Sequence, residues 1–208
     1  MLKSDSITFS YDGYKEFCFP NIQLDQGQNL LILGESGVGK TTFIQLLAGL
    51  LKPKSGDIEL NGINYSTLTP NFMDQFRGKH IGMVFQKPHF VRNLSVLDNL
   101  IFSLYLSKKS QNKERAIKLL DQIGLGNKYK SMPYELSQGE QQRAAIALAV
   151  IKNPDLILAD EPTSSLDDLN CGKTIQLLKE QASNTNAQLI IITHDNRLKS
   201  EFNSSITL

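Results

Sequence analysis

Gly34-Glu35-Ser36-Gly37-Val38-Gly39-Lys40-Thr41 carries the residue types and the spacing needed to hold a polyphosphate. The glycines permit tight turns and leave no side chain between the backbone amides and an anion. Successive N–H groups, joined by the positive end of a following helix, make a cradle for phosphate. Lys40 is spaced to reach the outer phosphates, and the Thr41 hydroxyl is a ligand for Mg²⁺. Three further polar points stand at the ends of apolar runs: Gln86, Asp160-Glu161 and His194. An aspartate after a buried strand can hold Mg²⁺, and the adjacent glutamate can orient or deprotonate an attacking water. By themselves, Asp160 and Glu161 also read as a pair of solvated carboxylates, and His194 as a structural histidine. The phosphate loop tips each reading toward chemistry.

These residues need elements to position them. Leu30-Leu31-Ile32-Leu33 reads as a buried strand before the loop, and residues 41–51 as a helix after it. Residues 7–11 and 57–60 alternate as strands, the second ending on the turn pair Asn61-Gly62. The runs 81–85, 156–159 and 189–192 read as buried strands. Helices are expected over 94–106, 113–123, 137–152 and 169–183, with an edge strand at 206–208. Strands alternating with helices predict a mainly parallel α/β sheet, in which ligands bind beyond the carboxyl ends of the strands. The expected fold is thus a P-loop NTPase in one domain, 1–208. A core with an N-terminal antiparallel β-subdomain takes about 1–87 and 154–208, and an α-helical insertion about 88–153. Ser137 with Glu140 is a capping box opening the 137–152 helix; a capped helix N-terminus beside a glycine can also bind an anion.

Composition excludes some classes. The 208 residues carry a net charge of +1, which gives nucleic acid and anionic membranes little hold. Two cysteines, Cys18 and Cys171, lie far apart in no metal-ligand spacing and suit free thiols in a reducing cytosol. Met1 to Ser6 contains no apolar signal core, and no apolar stretch is long enough to span a bilayer. Work at a membrane would need a partner. His80 and His89 receive no role.

Taken together, the motifs resemble the nucleotide-binding subunit of an ABC transporter over essentially the whole chain. Gly34 to Thr41 resembles Walker A, Gln86 the Q-loop glutamine, and Leu136-Ser137-Gln138-Gly139-Glu140 the LSGGQ signature. Leu156 to Glu161 resembles Walker B with its catalytic glutamate, Pro162 to Asp167 the D-loop, and His194 the switch histidine. Tyr11 resembles the aromatic residue that stacks on adenine, and an ordinary strand tyrosine is the alternative. The signature departs at Gln138 and Glu140, and Leu148 stands where arginine is frequent.

The resemblance implies ATP and Mg²⁺ as cofactors. It implies Glu161, His194 and Gln86 as catalytic residues, and Thr41, Gln86 and Asp160 around the metal. Nucleotide would be held by Tyr11, Gly34, Ser36, Gly37, Val38, Gly39, Lys40, Thr41 and Thr42, and from a second copy by Ser137, Gln138 and Gly139. Two copies would close head to tail on two ATP molecules and drive a separate transmembrane permease. The chain would lie on the cytoplasmic face of the membrane through that partner, without inserting and without binding nucleic acid. Residues 160–164 and Gln141-Gln142-Arg143 resemble the lipoprotein-release and macrolide-exporter subgroup. The rivals are a soluble ABC ATPase acting on nucleic acid or ribosomes, and a nucleotide-switched scaffold of the cell-division type.

Overall fold

Each central apolar run splits by alternation between two cores. In the computed structural model, Leu30, Ile32, Leu156, Leu158, Ile190 and Ile192 face one buried cluster, and Leu31, Leu33, Ile157, Ala159, Leu189 and Ile191 the other. Side chains on a strand alternate sides, so a sheet covered on both faces needs apolar residues at every position. The structure describes residues 1–164, 166 and 168–208, with the backbone alone at 168 and 169.

The central sheet is parallel, in the order β10 (Ser205–Thr207), β4 (Asn29–Leu33), β9 (Gln188–Thr193), β8 (Leu156–Asp160), β7 (Ile81–Val84). One face carries α1 (Lys40–Leu47), α2 (Pro70–His80) and a second, antiparallel sheet. That sheet is built on β1 (Leu2–Phe9), which pairs with β2 (Phe17–Cys18), β3 (Ile22–Leu24) and β5 (Ser55–Leu60). β5 turns through Asn61 (φ 54°) and Gly62 (φ 80°) into β6 (Ile63–Asn64). Two successive positive φ angles are the turn that Asn-Gly favours. The other face carries α3 (Val96–Leu106), α4 (Lys113–Gln122), α5 (Gln138–Val150) and α6 (Asp168–Thr185). Between β7 and β8 the described chain is helical or irregular, in keeping with the expected insertion.

Several elements differ from expectation. β1 ends at Phe9, so Tyr11 lies beyond the strand rather than in it. α1 stops at Leu47, four residues short of the expected end, and the chain turns at Gly49 with φ 65°. α2 is a helix that the sequence pattern did not announce. Only Met73 and Phe76 of it are buried, too thin an apolar stripe to register as a period. Its local cue is Thr69-Pro70, with proline at the first helical position.

Candidate nucleotide site

The phosphate loop follows β4, and two of its glycines adopt conformations that other residues rarely take. Gly37 has φ 87° and Gly39 φ 104°. A Cβ on Gly39 would also stand 2.8 Å from the Phe17 ring. Gly39 caps α1 with no side-chain hydrogen bond, and the first turn holds no acidic residue. The positive end of α1 is therefore left to the loop, as anion binding requires.

Lys40 is 7% exposed and folds back over this loop. Its ammonium donates to the Gly34 and Glu35 carbonyls, both at 2.9 Å, and lies 3.4 Å from Glu161 Oε1. Glu161 is 8% exposed. Strand alternation would turn it away from Asp160, but Glu161 sits just past β8 in the left-handed region, φ 47°, and its N–H donates to the Ile192 carbonyl. That turn brings its carboxylate back to the loop. The Thr193 hydroxyl donates to Glu161 Oε2 at 2.8 Å, and His194 Nδ1 lies 2.9 Å from Oε1. Three expected residues, Lys40, Glu161 and His194, thus form one connected group.

Asp160, at the end of β8, is 7% exposed, and its Oδ1 is buried without a hydrogen-bond partner among the described residues. Burial raises its carboxyl above the usual range, opposed by the Thr41 hydroxyl and Lys40 and reinforced by the charge of Glu161. A buried, unpartnered carboxylate oxygen beside a hydroxyl is a donor pair suited to a hard divalent cation. The direction of the shift fixes a pH dependence. A raised native value stabilises the fold fully below the ordinary carboxylate value, and that contribution is lost as pH rises through the raised one. At neutral pH without divalent metal, the fold carries the desolvation cost of a buried carboxylate that Thr41 and Lys40 only partly offset. Asp160→Asn is therefore expected to raise the melting temperature in EDTA at neutral pH by roughly 2–4 °C, a gain that shrinks toward acid. Thermal unfolding across pH checks this, and a lowered melting temperature would contradict it.

The other expected residues take these places. Tyr11 is 64% exposed, edge-on to Phe9, with its hydroxyl 3.1 Å from that of the buried Thr42. It is an accessible ring tethered to the phosphate-loop helix. Gln86 donates to the Ser164 hydroxyl at 3.3 Å, and with Gln138, Gln142 and Glu161 it lines a small cleft. Ser137 caps α5. Its hydroxyl accepts from the Glu140 N–H at 3.4 Å, and Glu140 accepts from the Ser137 N–H at 2.8 Å. The Ser137 N–H first, and then the Ser137 hydroxyl, hold the Glu140 carboxyl below its usual range. Gly139 follows in the first turn. Of the stretch resembling the D-loop, Ser165 and Asp167 lie outside the described residues.

Two residues at the site received no site role from the sequence. Thr193 orients Glu161, and its only cue is a hydroxyl at the end of an apolar strand. Gln142, buried on α5, donates to the Pro162 carbonyl at 2.9 Å and ties the signature helix to the turn after Glu161. A lone polar residue at a buried helical position was the available signal. His80 pairs with Asp155 across the start of β7 and β8, and His89 lies against Phe85, both away from this group.

A family model described as ABC transporter matches residues 20–164. The lipoprotein-releasing system ATP-binding protein LolD of Buchnera aphidicola is 42% identical over 189 residues, covering 90% of this chain and 82% of that protein. The macrolide export ATP-binding/permease protein MacB of Rhodopirellula baltica is 39% identical over 178 residues, 84% of this chain and 26% of that longer protein. The ATP-binding cassette MJ0796, solved as a dimer in a post-hydrolysis state bound to ADP and Pi, superposes with a TM-score of 0.89. It is 30% identical and covers all of this chain and 94% of that one. The loop, strand ends and capped helix assembled above are thus those of a cassette, and the chain belongs to the ABC transporter family, as an ATP-hydrolysing nucleotide-binding subunit similar to the lipoprotein-release and macrolide-export members.

Proposed function

We propose that this chain powers a separate transmembrane permease by closing head to tail on a second copy around ATP. One observation carries the coupling. The segment after β7 touches both the nucleotide group and an open groove. Gln86 lines the cleft with Glu161, while His89, Phe90 and Val91 line a groove of about 580 Å³ along the free edge of β7. A partner seated in the groove would press on the same few residues that sense the γ-phosphate, and the helical part of the chain, about 88–153, would move with them. Among the described residues no helix is long and apolar enough to cross a membrane, so the chain would reach its membrane face through the permease. The names of the relatives support a permease whose cargo is a lipoprotein or a macrolide-like compound.

In the ATP-bound dimer, Lys40 and the loop amides hold the phosphate oxygens, and Glu161 takes the proton of the attacking water while Thr193 and His194 orient it. Tyr11 offers its face to adenine. Thr41, Asp160 and Gln86 would hold Mg²⁺, which neutralises phosphate charge when bound. Ser137, Gln138 and Gly139 of the second copy would complete the site, the start of α5 meeting the γ-phosphate. The direct test is affinity purification of tagged Glu161→Gln chain, with ATP, from detergent-solubilised membranes. A multi-spanning permease in stoichiometric amount supports the proposal. Recovery of a soluble dimer alone, or of a scaffold that is not a permease, overturns the transport role in favour of a nucleotide switch. Completion in trans is checked by mixing. A Ser137→Arg chain added in excess is expected to inhibit the ATPase of the unmodified chain, and unchanged activity would refute it.

A further inference from the structure

The groove beside β7 is apolar along most of its length. Met83 and Phe85 come from the strand side, and exposed Leu50, Phe102 and Leu106 form its rim. Two cations also line it, and they differ. Arg77 is already satisfied: it pairs with Asp74 and donates to the Gly49 carbonyl. Lys152, just past the end of α5, is partly buried, and among the described residues its ammonium has neither a carboxylate nor a hydrogen-bond acceptor. Its nearest charged company is of its own sign. The Lys109 ammonium donates to the Lys152 carbonyl, and Arg77 stands across the groove. Burial and these two cations push the Lys152 amine down to about 8. An unpaired cation in an apolar groove disfavours a wholly apolar occupant, which would desolvate it without compensation.

We propose that the permease segment docking here is amphipathic, setting apolar side chains on Leu50, Phe102 and Leu106 and a single Asp or Glu carboxylate against Lys152. This rests on the transporter reading above and adds the chemistry of its partner. The carboxylate fixes register in a groove whose apolar walls alone would tolerate sliding. A second copy of the chain is the poorer occupant. The signature serine that would face the second copy sits at the other end of α5, about 20 Å away by helical rise, so both faces can be engaged together.

The test uses the complex recovered with the unmodified chain, treated with a zero-length carbodiimide. The reagent joins an amine to a carboxylate in contact as an amide and takes up the released water to become a urea. Peptide mass spectrometry is expected to find Lys152 linked to an Asp or Glu of the permease. Lys152→Glu is expected to cut permease recovery about tenfold or more, while Lys152→Arg, which keeps the charge, retains it. A thermal melt of each variant confirms folding, and the cross-link itself needs no variant. Undiminished recovery with Lys152→Glu, or Lys152 linked only to carboxylates of its own chain, overturns the proposal. If the unmodified chain recovers no transmembrane protein at all, the transporter reading fails, and this inference with it.

Discussion

Glu161→Gln is expected to lower steady-state ATP turnover by about 100-fold or more while leaving nucleotide binding intact, and to trap an ATP-bound dimer. The magnitude is that of losing a positioned general base. The substitution suits this site because an amide keeps the shape of the carboxylate. Its carbonyl oxygen can still accept from Lys40, and its NH₂ can donate to the Thr193 hydroxyl; these partners stand 3.4 Å and 2.8 Å from the two native oxygens. It cannot take a proton from water, and it removes one negative charge that would face the γ-phosphate. Both changes favour the closed, unreacted state. Single-turnover phosphate release gives the rate, and light scattering with and without ATP gives the dimer. Turnover at the native rate would remove Glu161 from the chemistry and leave its left-handed turn a structural device.

Lys40→Ala is expected to weaken ATP binding by roughly 10- to 150-fold, the value of one charge-assisted hydrogen bond of about 1.5–3 kcal/mol. Lys40 is the only cation of the loop motif and is 7% exposed. Its three present partners, two loop carbonyls and Glu161, are all oxygens that compete with phosphate oxygens for the same ammonium. Binding ATP exchanges these contacts for phosphate, so the measured loss is net of them and falls well short of a bare ion pair. The substitution also strips Glu161 of its one lysine partner, which Lys40→Met repeats with less loss of volume. Titration calorimetry on both variants checks the result, and unchanged affinity would show that the loop amides alone hold the nucleotide.

The phosphate loop was legible because its requirements are local. Gly37 and Gly39 need positive φ wherever the chain lies, and an uncapped helix start is a property of the next few residues. The capping box at Ser137 and Glu140 was legible for the same reason. The strands of the parallel sheet were readable as apolar runs because both of their faces are covered. α2 was not, since two buried residues in eleven leave no period, and the chain there is held by tertiary packing rather than by its own pattern.

Glycine conformations, caps and apolar periods act over a few residues, so the sequence alone pointed to a glycine loop of phosphate-binding pattern, a strand-end carboxylate pair and a strand-end histidine on one α/β sheet. Only in the folded chain does Glu161 turn out of strand register to meet Lys40, Thr193 and His194, and does one buried oxygen of Asp160 go unpartnered among the described residues. The fold likewise leaves Lys152 unpaired, among the described residues, in the groove beside β7. These arrangements join residues from 32 to more than 100 positions apart. Burial and charge at such points are sums over the whole fold, and no local stretch of sequence contains them.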